Sequence, residues 1–157
     1  MDPAKKLKLT WFVLVASALI CVPVVSYHGY RAYRAIRITE MADRMIDGIT
    51  AETEKMTGLK VEIAKELNRL TAALSRSENY DKPDFLDFID GRGEDLAEIS
   101  QLLKNALENL EEATLVNLEG LETDDYRRLE VAEVALNIAR KKIEEARQLL
   151  DSYRRAI

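Results

Sequence analysis

The sequence predicts an all-α protein in which a single N-terminal transmembrane helix continues into an antiparallel three-helix bundle or coiled coil. Residues 9–26 contain no charged side chain, although charged residues make up 32% of the 157-residue chain. Beyond about residue 35, Glu, Lys, Arg, Leu and Ala dominate, and apolar residues recur every three or four positions. That composition and period are typical of long packed helices.

Residues 1–8 form a basic tail, and residues 9–28 form the predicted transmembrane helix. About 18 largely apolar residues at ~1.5 Å each are near the lower limit for crossing a bilayer. Aromatic and basic side chains flank the run and are predicted to lie at the membrane interface, where both types are favoured. These interfacial residues are Trp11, Tyr27, Tyr30, Tyr33, Arg31, Arg34 and Arg37.

A cleaved signal peptide is the alternative for the same run, with Ser26 at the cleavage site. Pro23 between the apolar run and that site argues against cleavage, and Ile20 before Cys21 argues against lipidation. We therefore expect an uncleaved anchor in a single-pass membrane protein. Basic residues nearly balance across the span, but the short tail and acidic domain favour an N-inside orientation with an extracytoplasmic domain.

Residues 29–157 form the predicted extramembrane bundle, whose first helix spans about residues 30–76. The apolar seam of this helix is interrupted at Glu52 and Thr53, with Gly48 and Gly58 on either side. Glycine weakens a helix, so the pattern permits a hinge or a loosely packed turn here. The seam consists of Ile38, Met41, Met45, Ile49, Met56, Leu59, Ile63, Leu67, Leu70 and Leu74.

The second helix is predicted over residues 84–119, after a turn at residues 77–83. Gly91 and Gly93 permit either a local break or bend or a continuous helix, and Gly120 is placed at the stop of the helix. Thr123 or Asp124 is then the predicted N-cap of the third helix, which spans residues 124–156.

The third helix has the most regular seam in the chain. Large residues alternate with alanine, which allows a neighbouring helix to approach closely. The pattern permits both a monomeric bundle and a homo-oligomer, and we expect the seam to bind a partner helix. It consists of Leu129, Ala132, Leu136, Ala139, Ile143, Ala146, Leu150 and Tyr153.

The net charge of −5 is unevenly distributed. Residues 78–125 hold 15 acidic and three basic side chains, whereas residues 126–157 hold eight basic and five acidic ones. The two segments are expected either to lie side by side or to be solvated independently. The acidic total argues against nucleic acid as a partner.

Reactive residue types are scarce. With His28 and Cys21 as the sole histidine and cysteine, the chain contains no disulfide, catalytic triad or Glu-x-x-His metal motif. We expect no enzyme activity, no catalytic residues and no cofactor. The only weak metal candidates are the carboxylates of Asp84, Asp87, Asp90 and Glu94, since hard cations take clustered oxygens. An acidic patch for protein docking or a solvated face are the alternatives.

The sequence therefore predicts a non-catalytic scaffold or assembly subunit that is anchored in a lipid bilayer and docks protein partners there. Two other functions share the same layout. One is a sensory or ligand-responsive bundle that signals through a partner, as in chemoreceptor-type domains, although those return through a second span. The other is a membrane coiled coil like that of phage spanins.

Overall fold

Three α-helices account for the secondary structure of the residues described by the computed structural model, which are 3–76 and 83–155 for the backbone. They are α1 (Pro3–Arg76), α2 (Pro83–Glu122) and α3 (Tyr126–Arg155). Side chains are described for residues 17, 21–76 and 84–155. The predicted all-helical fold is confirmed, and no strand occurs within this part of the chain. Residues 77–82 of the predicted turn lie outside the described residues.

The chain divides into two compact units, residues 1–40 and residues 41–157. The first is the N-terminal part of α1. In the second, the remainder of α1 packs with α2 and α3 in a helical bundle around one hydrophobic core.

The direction of the helices in the bundle follows from which side chains meet. Glu52 and Glu66 of α1 bond to Arg140 and Arg154 of α3, and both pairs are 88 residues apart. A constant offset means that α1 and α3 run parallel. On α2, by contrast, Arg92 contacts Tyr153 and Gly120 approaches Leu129, so rising numbers on one helix meet falling numbers on the other. α2 is therefore antiparallel to both neighbours, as the sequence predicts.

The core contains the seam that the sequence predicts for α3, packed with buried apolar residues of α1 and α2. Every residue of the predicted α3 seam is buried inside the bundle. The helices that cover it are α1 and α2 of the same chain, so the seam does not lie on a surface that would meet another subunit. Apolar burial of this kind contributes about 25 cal/mol per Å² to folding.

The seam of α1 differs from the prediction at Leu67 and Leu74, which are both exposed. Leu67 is half exposed, and the neighbouring Glu66 is buried in its place. Glu52 is also buried, so the polar interruption lies in the core and not in a solvated turn. α1 stays helical through Gly48 and Gly58, and neither glycine breaks it.

The glycines of α2 lie inside one continuous helix. Gly91 and Gly93 produce no break, and Gly120 is not the stop, because α2 continues to Glu122. A Cβ on Gly120 would lie 2.8 Å from Leu129 Cδ2, which is too close for ordinary packing. Gly120 therefore allows α3 to approach α2 closely.

The turn between α2 and α3 corrects the predicted caps. Asp124 has φ of 52°, a left-handed conformation that Asp tolerates better than most residues. The Asp125 N–H donates to Gly120 O at 2.9 Å, the long bond of a Schellman motif that ends α2. Asp125 Oδ1 accepts from Arg127 N at 3.0 Å, so Asp125 is the N-cap of α3 in place of Thr123 or Asp124.

Candidate functional sites

The predicted interfacial side chains of the N-terminal unit are exposed. Tyr27, Tyr30 and Tyr33 are 61–65% exposed. Arg31, Arg34 and Arg37 are exposed as well. Trp11 lies outside the described side chains. Among the described side chains of the same unit, the exposed large apolar ones besides the tyrosines are Val22, Val24, Val25 and Ile36.

The predicted span at residues 9–28 falls largely on side chains outside the described residues, namely 9–16 and 18–20. Among the described residues, no helix is both long enough and apolar enough to cross a membrane. The described end of the run places Cys21 on the surface and sets the His28 ring edge-on to Tyr27, with centroids 5.7 Å apart.

The acidic residues at the start of α2 are not gathered into a metal site. Asp84, Asp87, Asp90 and Glu94 are all exposed. Across the described residues, no group of three or more His, Cys, Asp or Glu side chains is arranged to hold a metal ion. Cation binding there stays a prediction to which the geometry adds nothing.

Two ionic layers join α1 to α3. In the first, the buried Glu52 accepts from Lys55 Nζ at 2.9 Å and from Arg140 Nε at 3.3 Å. In the second, the buried Glu66 accepts from Arg69 Nη1 at 2.9 Å and from Arg154 Nε at 3.1 Å. Each buried carboxylate thus has two cationic partners. Their attraction offsets the hydration that the carboxylate loses on burial.

Arg154 also reaches a second acid. Its Nη1 donates to Glu62 Oε2 at 2.7 Å. This hydrogen bond, with the one to Glu66, raises the pKa of the guanidinium above its ordinary value against the opposing effect of desolvation. Arg154 is therefore cationic at neutral pH.

The expected pairing of the acidic segment with the basic one is only partly realised. α2 and α3 do pack side by side, and Arg128 of α3 bonds to Glu119 of α2 beside the turn. Farther along α3, however, Arg140 and Arg154 bond to α1 and not to α2. Arg140 and Arg154 thus serve the α1 contact, which net charge per segment does not reveal.

A cavity of about 410 Å³ opens between α1 and α3. It begins at the first ionic layer and extends along α1 and α3 toward the second. Charged side chains of both signs dominate its wall. The lining residues are Glu52, Lys55, Gly58, Leu59, Glu62, Arg140, Ile143, Glu144 and Arg147. Its volume is within the range of small-molecule sites.

A second polar cluster lies near the end of α3. Arg92 is buried, stacks its guanidinium 3.3 Å from the centre of the Tyr153 ring, and donates through Nη1 to Tyr153 O at 2.9 Å. Arg92 Nη2 is buried with no hydrogen-bond partner in the described part of the chain. A cavity of about 210 Å³ adjoins the cluster and also exposes Asp95 and Glu98. The cation–π contact and the carbonyl bond fix this end of α2 on α3.

Sequence reasoning missed the buried ionic residues Glu66 and Arg92, the half-buried Arg154, and the buried Asn117. The Asn117 Nδ2 donates to Ala42 O at 3.3 Å. A signal for Glu66 was present. Met45, Glu52, Leu59 and Glu66 follow one another at intervals of seven, so a heptad register for α1 would have placed both glutamates in the core.

The chain matches no protein-family model, no curated protein and no solved structure. What it can do is therefore argued from its own residues.

Proposed function

We propose that the protein is a non-catalytic scaffold or assembly subunit that is anchored in a membrane by its N-terminal segment and docks protein partners through its helical bundle. The observation that carries the proposal is the apolar character of the N-terminal part of α1, which contrasts with the polar remainder of the helix. Residues 9–26 are uncharged, and Val22, Val24 and Val25 at the end of this run are exposed. The three tyrosines that follow the run are exposed as well. Contiguous exposed apolar surface of this kind marks contact with a membrane or another protein.

The tyrosines and arginines favour a membrane over a protein as the environment of this segment. Tyr27, Tyr30 and Tyr33 recur every three residues, and so do Arg31, Arg34 and Arg37. Amphipathic rings and long cationic side chains both prefer the headgroup region, where apolar and hydrated surroundings meet. Such a collar would set the depth of an inserted helix.

Membrane insertion is tested by extracting membranes with alkaline carbonate. The native chain should stay in the membrane pellet. The double variant Val15→Arg with Leu19→Arg should move to the supernatant, because each arginine near a bilayer centre costs about 3 kcal/mol on insertion scales. Val134→Arg on the exposed surface of α3 is the matched control and should stay in the pellet. Release of the native chain would overturn the anchor.

We also propose that the bundle lies outside the cytoplasm with the N-terminus inside. The test is a Glu133→Cys variant in a Cys21→Ala background, since Glu133 is exposed on α3. A membrane-impermeant maleimide should label this cysteine in intact cells. Labelling only after lysis would place the bundle on the cytoplasmic side.

Exposed apolar side chains on the bundle support the docking of protein subunits. Val131, Val134 and Ile138 are 43–59% exposed, and their spacing of three and four places them on one face of α3. Leu115 and Leu118 are exposed on α2. We propose a second copy of this chain as the first partner to test.

A photocrosslinking amino acid at position 134, in place of valine, should give a product of twice the chain mass in native membranes. The same group at Gln148, an exposed polar position on α3, is the control and should not crosslink. Equal yields at both positions, or none at position 134, would argue against self-assembly through this face.

A further inference from the structure

The arginines of α3 that face α1 recur at intervals of seven. Arg140 and Arg154 each bond to a buried glutamate that lies 88 positions earlier in the chain. Arg147 lies midway between them, and the same offset leads to Leu59. Both residues line the 410 Å³ cavity. The middle layer therefore has a cation but no acid at the position that is acidic in the layers above and below.

Arg147 is exposed at the cavity and makes no ion pair with any described residue. Arg140, by contrast, is held by Glu52 Oε1 and by Asn137 Oδ1. Because Arg147 offers a planar set of donors that suits a carboxylate, the cavity has a free anion-binding group at one side.

The cavity also has two carboxylates that each keep one oxygen available for a further hydrogen bond. Glu62 uses Oε2 for Arg154, and Glu144 uses Oε1 for Gln148, so each has a second oxygen without a partner among the described residues. A lone anion beside Arg147 would be repelled by these two carboxylates. A ligand that also carries an ammonium group would complement both signs.

The space for a ligand comes from Gly58. A Cβ built on this residue meets no atom within 4 Å, whereas a Cβ on Gly48 would meet Leu136 Cδ2 at 2.8 Å. Gly48 is thus explained by close packing of α1 on α3, and Gly58 is not. In a helix, where glycine costs about 1 kcal/mol relative to alanine, Gly58 leaves the cavity open.

We infer that this cavity binds a small zwitterion of the α-amino-acid type, whose carboxylate pairs with Arg147 and whose ammonium pairs with Glu62 and Glu144. Binding at this cavity does not depend on the proposed scaffold function, because the site is formed by α1 and α3 alone and requires neither a membrane nor a protein partner.

The test is the thermal midpoint of the full chain in detergent, measured with each of the proteinogenic amino acids and with acetate and ethylammonium. At least one amino acid should raise the midpoint, and the two single-charge compounds at equal concentration should not. An unchanged midpoint with every amino acid would overturn the inference, and so would an equal response to acetate.

Two variants localise the effect. Arg147→Gln removes the cation without breaking a described ion pair, and Gly58→Leu fills the cavity with a residue that favours helix. Each should weaken binding at least tenfold by calorimetry. Gly91→Leu is the matched control, since Gly91 is also helical with open space around it, and it should bind as the native chain does. Undiminished binding by both site variants would place any ligand elsewhere.

Discussion

α3 is held by its two neighbours through different chemistry. Toward α2 the contact is close and mainly apolar, with Leu129 seated on Gly120 and Ala135 buried near the same end. Toward α1 it contains two buried glutamates, a cavity and the arginines that serve them. The α2 contact is therefore stabilised mainly by apolar burial. The α1 contact has less of this stabilisation, but its ion pairs fix the register of the two helices and it encloses a polar cavity.

The difference has a physical consequence for specificity. Apolar seams of Leu and Ala tolerate shifts by a heptad, because every layer resembles the next. Buried charges do not tolerate such a shift, because a displaced Glu52 or Glu66 would lose its partner in the interior. We expect the ionic layers to set the parallel register of α1 and α3, and the apolar seam to supply most of the free energy of folding.

The largest effect should come from the α2 contact. Leu129→Ala removes a fully buried side chain that packs on Gly120, and should lower the free energy of unfolding by about 3 kcal/mol. Denaturant unfolding of the full chain in detergent is the measurement. Val131→Ala, two residues away and half exposed, is the control and should change stability by less than about 0.5 kcal/mol. A similar loss in both variants would contradict the packing.

Breaking an ionic layer should lower the free energy of unfolding by less than Leu129→Ala does. Replacing both partners with apolar residues should restore the lost stability. Arg154→Ala leaves the buried Glu66 with only Arg69, and should destabilise the bundle by about 2 kcal/mol. The double variant Glu66→Leu with Arg154→Leu should recover all of that, since apolar replacement of a buried pair is often neutral or stabilising.

Arg155→Ala is the control for this cycle, because that side chain is exposed and, among the described residues, bonds to Asp151 O alone. It should leave the unfolding midpoint nearly unchanged. If the double variant is less stable than Arg154→Ala alone, the ionic layer stabilises the folded bundle in addition to fixing the register of α1 and α3.

Two glycines of α1 give a smaller and opposite pair of effects. Gly58→Ala should stabilise the bundle by up to about 1 kcal/mol, because the new methyl group enters open space and favours helix. Gly48→Ala should destabilise it, because the methyl group would press on the buried Leu136 and overpacking costs about 1–3 kcal/mol. Thermal unfolding of the two single variants in parallel checks the sign, and equal signs would refute the difference between the sites.

The smallest effect is expected at the turn between α2 and α3. Asp124→Gly should stabilise the protein by about 0.5 kcal/mol, because glycine adopts the left-handed conformation without steric cost. Asp125→Ala, which removes the N-cap of α3, should destabilise it by about 1 kcal/mol. Comparing the unfolding free energies of the two variants distinguishes the contribution of the α2 C-cap from that of the α3 N-cap.

The helical class could be predicted from the sequence, and so could the three helices of the bundle and the α3 seam. These rest on period and composition, which act locally along each helix. Leu129, Leu136 and Leu150 were predictable as core residues because every third or fourth residue of a helix shares a face.

Which polar residues are buried depends on the contacts between helices. Leu67 and Glu66 are adjacent, and each continues an acceptable seam from Ile63 to Leu70. Local hydrophobicity selects leucine, but the offset of 88 residues between α1 and α3 brings Arg154 to Glu66 and makes the glutamate the buried one. The same offset opposes Arg147 with Leu59 and creates the cavity. The identity of the buried residue thus depends on contacts between helices that lie far apart in the sequence, and it cannot be inferred from one helix alone.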